Sequence, residues 1–345
     1  MLACTTDHTR RGYLRTIAQE YGAPARPAII VPGFGVTRLY DPAAKRYVWG
    51  TPRATMRTRY ADDLDLPADG HDRLVPRGVV GSRGPVNIAW HLQDGLRKFG
   101  RYTPGRDVFP FEYDWRLPAE ENAAKLRGLI ERVRNGGEVD VITHSAGAIV
   151  ALAALELQGE RHVAHLVMLA PTRRGVVDAF RVFVRPERFM RRTFRPDMVA
   201  TWPFVYELLP YEGRILVDED GKPLPDDVWS WPGLSQPLAA RARELRARLD
   251  RAAMPKSVRV TVIAGDCVDT ARRVLRRRDG SFVFYPSELR PEERHLAKLL
   301  FEPGDGTVPV SSAAAGGDAL LFCDGHQGIA TDPNVVRALL RALRE

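Results

Sequence analysis

Residues that could together carry out acyl transfer occur along this chain in the order serine, acid, histidine. Ser145 lies within Thr143-His-Ser-Ala-Gly147, and His326 lies in a glycine-rich loop after the last strand-like run. Between them, Asp266 and Asp305 are candidate acids that position alone does not separate. A serine hydroxyl becomes a nucleophile when an imidazole accepts its proton and a carboxylate fixes that imidazole. The order therefore predicts acyl chemistry through a covalent acyl-serine.

The turn that would present Ser145 joins a strand to a helix. The run from Val139 to Ile142 is β-branched, as in a strand, and the run from Ala146 to Leu155 has the alanine and leucine content of a helix. Such a sharp turn lifts the hydroxyl clear of the backbone, although Thr143 stands where the G-x-S-x-G pattern has its first glycine. The alternative is an ordinary turn whose serine caps the helix. His144 is expected to face the sheet as a satisfied core histidine.

A second turn could supply hydrogen-bond donors beside the serine. The buried run 28–31 ends in Pro32-Gly-Phe-Gly35, and loops at the carboxyl ends of parallel strands build the sites of α/β sheets. Phe34 would offer its backbone N–H next to Ser145, as one of the two donors that an oxyanion hole requires. The alternative is a plain turn with glycines at positive φ.

Strand-like runs alternate with helical runs along the 345 residues, which favours a mostly parallel sheet around one core. Together with the order of the candidate residues, this predicts the α/β-hydrolase fold, a central sheet flanked by helices with an inserted cap. We expect an N-terminal arm over 1–26, with a helix near 8–22, the core over 27–171 and 237–345, and the cap over 172–236. The main predicted helices are 88–99, 119–134, 236–252 and 333–344, and further strands are 107–113, 162–170, 257–264 and 319–322.

The predicted cap differs in composition from the core. The run from Phe180 to Arg195 interleaves large apolar side chains with arginines, and the run from Trp202 to Pro210 continues the apolar content. We expect apolar faces to line the site and arginines to face outward. The alternatives are a helical insertion without a ligand role and docking to an anionic lipid surface. Before the elbow, Asp114 and Arg116 flank Trp115, and a buried ion pair is favoured there over substrate contact.

Composition narrows the binding partners and the cellular locations that are expected for this protein. The net charge is +8, but no basic tail or RNA-binding motif accompanies it, so nucleic acid is not an expected partner. Cys4, Cys267 and Cys323 are an odd number without metal spacing, which argues against a disulfide framework and for a reducing compartment. The N-terminus lacks the apolar run of a secretion signal, and no window approaches the roughly 18 apolar residues of a membrane span. The expected location is the cytoplasm, with peripheral contact to an anionic membrane as an option.

Several motifs, taken in combination, resemble those of one family. They are Pro32-Gly-Phe-Gly35, Tyr113-Asp-Trp-Arg116, His144-Ser-Ala-Gly147, Trp202 to Pro210, Gly304-Asp-Gly-Thr-Val-Pro309 and Gly325-His326. Over about residues 27 to 340 the chain resembles the lecithin:cholesterol acyltransferase family, which includes the phospholipid:diacylglycerol acyltransferases and lysosomal phospholipase A2. Thr143, Ala146 and Ala148 depart from the family pattern.

The resemblance implies a role for each matched residue. The nucleophile, the acid and the base would be Ser145, Asp305 and His326. The oxyanion hole would be formed by the backbone N–H groups of Phe34 and Ala146. The cap would carry the acyl-binding wall, and the candidate substrate contacts are Gly33, Trp115, Phe183 and Trp202.

The predicted activity is hydrolysis of an acyl ester or lipid, as in an esterase, lipase or phospholipase. The alternative is transfer of the acyl group to an alcohol, amine or lipid acceptor, because both reactions use the same catalytic residues. They differ in whether the cap excludes water and holds an acceptor. No metal or organic cofactor is expected, and the sequence carries no signal for an oligomeric state. A catalytically silent binding module of the same fold is the rival from another class, against which the intact serine, acid and histidine set argues.

Overall fold

The computed structural model describes residues 22–56, 61–67, 74–81, 87–189, 191–211, 213–225, 228–315 and 317–345. Its strands are β1 Ala28–Val31, β2 Thr37–Asp41, β3 Arg46–Trp49, β4 Val75–Val79, β5 Val108–Pro110, β6 Val139–His144, β7 Val163–Leu169, β8 Glu187–Phe189, β9 Arg192–Phe194, β10 Leu216–Val217, β11 Arg259–Gly265, β12 Val268–Ala271, β13 Val274–Arg276, β14 Phe282–Val283, β15 Phe301–Gly304 and β16 Leu320–Phe322. Its α-helices are α1 Pro52–Thr55, α2 Ile88–Phe99, α3 Ala119–Val133, α4 Gly147–Leu152, α5 Asp178–Val184, α6 Pro196–Val199, α7 Pro203–Glu207, α8 Gln236–Arg251, α9 Ala297–Leu300, α10 Val310–Ala314 and α11 Pro333–Ala342. The helix expected near 8–22 lies outside the described residues.

A six-stranded parallel sheet forms the centre of the molecule, in the order β16-β11-β7-β6-β1-β5. Parallel strands must be joined by crossover connections, and these carry helices over the faces of the sheet. The predicted α/β class with a mostly parallel sheet is therefore confirmed. Since β6 lies inside the sheet, between β1 and β7, the carboxyl end of β6 opens near the carboxyl ends of both neighbours.

Both faces of the sheet are covered, which explains why its strands are near-continuous apolar runs. Along β1, Ile30 belongs to the core beneath α2 and α11, whereas Ile29 belongs to the core beneath α3, α4 and α8. Along β6, Ile142 and Val141 divide between the two cores in the same way. The alternation of side chains along a strand thus produces a three-layer arrangement of helices, sheet and helices.

The segment 172–236 contains α5, the β8–β9 hairpin, α6, α7 and β10. Its strand β10 pairs in parallel with β13, which lies within the 237–345 part of the chain. The expectation that arginines of this segment face outward is wrong for Arg192, which is buried. Its guanidinium donates to the Val48 carbonyl at 2.6 Å and pairs with Asp63, so the charge is neutralised inside the protein.

In the part of the chain that the structure describes, no helix combines the length and the hydrophobicity that a membrane crossing requires.

Candidate active site

The elbow after β6 presents Ser145 on a strained backbone. Ser145 has φ of 53°, in the left-handed region that side chains other than glycine rarely adopt. Its N–H donates to the Leu169 carbonyl at 2.9 Å, which ties the turn to the end of β7. Helix α4 then starts at Gly147, where an added Cβ would lie 2.4 Å from the Val31 carbonyl oxygen. Glycine at 147 therefore lets the helix begin against the end of β1.

Ser145, His326 and Asp305 form one chain of hydrogen-bonding distances. His326 Nε2 lies 3.0 Å from Ser145 Oγ, and His326 Nδ1 lies 2.8 Å from Asp305 Oδ2. Both distances are short enough for the hydrogen bonds that join a nucleophile to a base and that base to an orienting acid. Asp266, the other candidate acid, contributes a backbone N–H to the Phe322 carbonyl at 3.2 Å. The structure thus places Asp305, and not Asp266, in contact with His326. Position in the sequence alone had not separated these two candidate acids.

The Asp305 carboxylate is fixed from its other side as well. Oδ1 accepts the N–H groups of Thr307 at 2.9 Å and Val308 at 2.7 Å. Burial tends to raise the pKa of the Asp305 carboxyl, but His326 and these two N–H groups outweigh it, so the pKa lies below the ordinary value. An ionised carboxylate is therefore held against the imidazole. The His326 N–H also donates to the Asp305 carbonyl at 2.9 Å, which fixes the backbone of one residue to the other.

A disulfide joins the segment that leads to His326 to the segment that runs beside Asp305. Cys267 and Cys323 are bonded, with Cα atoms 4.9 Å apart. Cys267 follows β11 and Cys323 follows β16, and these strands are neighbours in register, with Gly265 opposite Phe322. The prediction that argued against a disulfide is wrong, because the topology brings the ends of two distant strands together. The cysteines consequently give no support for a reducing compartment.

Replacing both Cys267 and Cys323 with serine is expected to lower the free energy of unfolding by about 2–4 kcal/mol, since the bond closes a long loop in the unfolded chain. The two cysteines are 56 positions apart. Urea unfolding of the oxidised protein and the double variant measures the difference. The reduced wild-type protein serves as the control and should unfold at the same midpoint as the double variant. Equal stability of the double variant and the oxidised protein would show that the bond does not constrain the fold.

His144 lies beneath His326 and is not the fully satisfied core histidine that was expected. Its Nε2 lies 3.0 Å from the His326 carbonyl oxygen, and the two ring centroids are 4.7 Å apart. A carbonyl can only accept, so Nε2 carries the proton in this contact. Nδ1 is buried without a partner in the described part of the chain. Burial first, and then the charge of His326, lowers the pKa of His144 to about 3.

Acid is therefore expected to destabilise the fold through His144. Its pKa is about 3 in the folded protein against an ordinary 6.5, so the unfolded chain binds the extra proton first. The contribution of neutral His144 to the free energy of unfolding is fully present above pH 6.5. It falls as the pH decreases towards 3, because the unfolded state binds more protons than the folded state in that window. His144→Asn should flatten this part of the stability profile, measured by urea unfolding between those pH values. His295→Asn, at an exposed histidine, should not, and an unaltered slope in His144→Asn would contradict the assignment.

Two backbone N–H groups beside Ser145 are free to bind a negative charge. Among the described residues, neither the Phe34 nor the Ala146 N–H has a hydrogen-bond acceptor. The loop before Phe34 is fixed by aromatic donors: the Tyr113 hydroxyl donates to the Pro32 carbonyl at 2.7 Å, and Trp49 Nε1 donates to the Gly35 carbonyl at 2.6 Å. Orienting these carbonyls orients the peptide planes between them. Such preorganised donors are what an oxyanion hole requires.

Gly33 allows the loop to lie directly against the elbow. A Cβ added at this position would lie 3.0 Å from Ser145 Cβ and 3.1 Å from His144 Nδ1. Gly33 also lines the cavity above the serine. The predicted substrate contact at Gly33 is therefore a position where the backbone itself forms the wall.

A cavity of about 320 Å³ opens above Ser145. Its walls are mainly apolar and come from the loop 33–36, from Trp49 and Trp115, and from the segment 172–236, which contributes Val176, Ala179, Val182, Phe189, Phe194, Val199, Trp202, Val205 and Leu208. Trp115 and Trp202 are in edge-to-face contact with ring centroids 5.2 Å apart. Their indole N–H groups donate to the Thr37 and Leu64 carbonyls, so the apolar ring faces remain for the cavity. Ser145 and His326 lie at its base.

Phe183, predicted as a substrate contact, does not line this cavity. Its ring packs against Tyr206 with centroids 4.9 Å apart, and it is buried. The reason is the periodicity of α5: Ala179 and Val182 face the cavity, whereas Phe183 lies on the adjacent face of the helix.

Sequence reasoning missed the charged side chains in the cavity wall. Asp178, Arg181 and Glu187 line it together with the apolar residues. Arg181 is thus a second exception to the expectation of outward-facing arginines. Charged residues at 178 and 181 on a short helix signal only a polar surface, and the fold is needed to show that this surface borders the cavity.

Asp114 and Arg116 have the structural role that the sequence favoured. Both are buried, with Arg116 Nη2 2.7 Å from Asp114 Oδ2 and Nε 3.0 Å from Oδ1. The guanidinium also donates to the Leu64 carbonyl at 3.1 Å, which Trp202 contacts too. This pair therefore anchors the loop behind Trp115.

The parallel sheet, the serine on a sharp strand-to-helix turn and the histidine after the last strand define the α/β-hydrolase fold. Within that class, residues 83–217 match the family model of lecithin:cholesterol acyltransferase, which confirms the resemblance drawn from the motifs. The chain is 24% identical over 283 residues to the human lysosomal phospholipase A and acyltransferase, with 76% of this chain and 65% of that protein covered. It is 26% identical over 280 residues to an uncharacterized protein of Saccharomyces cerevisiae, with 73% of this chain and 40% of that protein covered.

The chain thus spans less than two thirds of the length of both curated relatives. Among solved structures, a chain of the Tle4–Tli4 complex aligns with a TM-score of 0.65 and 16% identity, covering 92% of this chain and 97% of that chain. At this identity the likeness concerns the fold.

Proposed function

We propose that this protein is a serine-dependent acyl ester hydrolase that acts through an acyl-Ser145 intermediate. The observation that carries the proposal is the hydrogen-bonded line from Ser145 Oγ through His326 to Asp305, with distances of 3.0 and 2.8 Å. The apolar cavity of about 320 Å³ at the serine supports an acyl chain as the bound group.

In the acylation step, Ser145 Oγ attacks the ester carbonyl while its proton passes to His326 Nε2. The carbonyl oxygen becomes an oxyanion, which the N–H groups of Phe34 and Ala146 stabilise, each by roughly 3 kcal/mol in comparable sites. His326 becomes a cation at this point, and the Asp305 carboxylate stabilises it through Nδ1. Collapse of the intermediate transfers the proton from His326 to the departing alcohol and leaves the acyl group on Ser145.

Deacylation repeats these steps with a second nucleophile. His326 takes a proton from water, which attacks the acyl-serine, and then returns that proton to Ser145 Oγ as the free acid leaves. An alcohol, amine or lipid in the same place would instead receive the acyl group, which is the acyltransferase alternative. Serine, histidine and acid have the same roles in both reactions.

The segment 172–236 is proposed to act as the cap of this site, inserted between core segments 27–171 and 237–345. This role is supported by the lining of the cavity, because residues of the segment from Val176 to Leu208 supply the wall above Ser145. A wall of this kind excludes water from an acyl chain and strengthens the electrostatic interactions at the oxyanion. Peripheral contact with an anionic membrane would present lipid substrates to it.

The partition of the acyl group between water and an acceptor tests which reaction dominates. The protein is incubated with p-nitrophenyl esters from acetyl to palmitoyl, with and without glycerol or a lysolipid, and the acylated protein and products are followed by mass spectrometry. A Ser145 adduct that clears to free acid without acceptor supports the hydrolase. An adduct that persists until the acceptor is added replaces the hydrolase with the acyltransferase. Release of acid at equal rates from wild type and Ser145→Ala would overturn both.

A further inference from the structure

Three charged side chains interrupt the apolar wall of the cavity above Ser145. Arg181 Nε lies 3.3 Å from Asp178 Oδ1, and Arg181 Nη1 lies 2.6 Å from Glu187 Oε2. The Arg181 guanidinium also stacks over the Tyr285 ring, 5.2 Å from its centroid. Arg181 is thus held on both sides by carboxylates and cannot swing freely to meet a ligand.

The carboxylates of Asp178 and Glu187 differ in how many of their oxygens contact a guanidinium group. Glu187 has both oxygens occupied, because its Oε1 lies 3.3 Å from Arg185 Nε while Oε2 meets Arg181. Asp178 has one contact, at 3.3 Å, and among the described residues no donor is bonded to its second oxygen. The Asp178 side chain is 25% exposed, so its carboxylate is open to solvent or to a ligand in the cavity.

The charges of this cluster do not balance. Arg185 Nη1 continues the network to Glu288 Oε1 at 3.0 Å, so that three carboxylates face two guanidinium groups. One negative charge is left in excess in this network, and of its three carboxylates those of Asp178 and Glu187 line the cavity. A positive group placed there would complete the network, whereas an anion would be repelled.

Asp178 also lies near the reacting atoms. Burial raises the pKa of Asp178, while Arg181 and the nearby His326 oppose that change. Thr172 lines the same cavity, and its Oγ1 is buried without a partner in the described ranges. Asp178 and Thr172 therefore both border the space beside Ser145.

We propose that Asp178, held in place by Arg181, binds a positively charged group on the alcohol side of the ester, and that the enzyme consequently prefers esters of amino alcohols over uncharged or anionic esters. This inference rests on the proposed acyl-serine function. It adds a determinant of specificity that acts on the alcohol, whereas the apolar wall acts on the acyl chain.

The test uses two esters of the same acid that differ only in charge. Octanoyl choline and octanoyl 3,3-dimethylbutanol have the same shape, because a carbon replaces the nitrogen in the second. For the wild type we expect kcat/KM to be about three- to fivefold higher for the choline ester, because its ammonium has no N–H and is attracted to the partly exposed carboxylate by charge alone. In Asp178→Asn the ratio should fall to about one. Asp197→Asn removes one exposed carboxylate of the same segment and should leave the ratio unchanged.

A ratio near one in the wild type, or the wild-type ratio in Asp178→Asn, would overturn the subsite. So would an equal loss on both esters, which would assign Asp178 a structural role at the start of α5. Inhibition supplies a readout that needs no variant: choline should compete with a p-nitrophenyl ester, and 3,3-dimethylbutanol should not. Equal turnover of both esters at Ser145 would remove the subsite and leave the proposed function standing. Turnover that persists in Ser145→Ala would remove the function as well.

Discussion

Replacing Ser145 with alanine is expected to reduce kcat/KM for esters by at least roughly 10⁴-fold, because no other group on the line to His326 can form the acyl intermediate. The residual rate would come from the oxyanion donors and from binding. The fold should persist, since alanine adopts the required backbone elsewhere in this chain: Ala170 and Ala315 have φ of 45° and 47°, against 53° at Ser145. Steady-state kinetics with a p-nitrophenyl ester, together with thermal unfolding, measures both effects.

Ser281→Ala is the matched control for this change. Ser281 is exposed and hydrogen-bonded to Asp279, away from the cavity, so its replacement should leave kcat/KM unchanged. A loss below about tenfold in Ser145→Ala would remove Ser145 from the mechanism.

Asp305→Asn is expected to lower kcat by about 10⁴-fold, the size of the effect in a comparable serine, histidine and acid set. An amide in this place can donate to His326 Nδ1, which would hold the imidazole in the tautomer that cannot accept the serine proton at Nε2. It would also remove the charge that stabilises the histidine cation. The loss should appear in kcat more than in KM, because the interaction is made in the transition state.

Asp266→Asn is the comparison that makes this result specific. Asp266 also follows a core strand but does not contact His326. Its replacement therefore makes a similar change of charge near the site without breaking that contact. We expect a loss below tenfold. Circular dichroism of both variants checks folding, since Asp305 also accepts the N–H groups of Thr307 and Val308. A larger loss at 266 than at 305 would reverse the assignment of the acid.

Much of the fold could be predicted because periodicity and end signals agree along the elements. The helix predicted over 88–99 is Ile88–Phe99, and the strand predicted over 28–31 is Ala28–Val31. The strand predicted over 107–113 is shorter, Val108–Pro110, since proline has no N–H to continue the ladder. The elbow helix changes at Ala153 into a π turn that ends at Leu157, and alanine and leucine composition carries no signal for that change.

The parts of the site that could not be predicted depend on pairs far apart in sequence. The disulfide needs β11 and β16 as neighbours, which cysteine counting does not show. The position of Arg181 in the cavity wall depends on Asp178 and Glu187 being available as partners there. Short-range patterns predict which face of a helix is apolar, but they do not predict that a charged face borders a cavity.

For His144, burial could be predicted from the sequence, but its contact with the base could not. The sequence predicts that His144 is a core residue, and it is buried. Its contact with the His326 carbonyl joins residues 182 positions apart, so only the assembled sheet reveals it. The division into an arm, a core and a cap remains a prediction, because the boundaries of such units are functional as well as geometric.

The most direct test of the account is the reaction with a fluorophosphonate, which forms a stable ester with an activated serine and releases fluoride. Intact-mass measurement should show one phosphonate on the wild type, peptide mapping should place it at Ser145, and Ser145→Ala should remain unlabelled. Asp305→Asn should react much more slowly. Failure of folded, ester-hydrolysing protein to label, or a stoichiometric label on a residue other than Ser145, would contradict the central claim that Ser145 is the nucleophile.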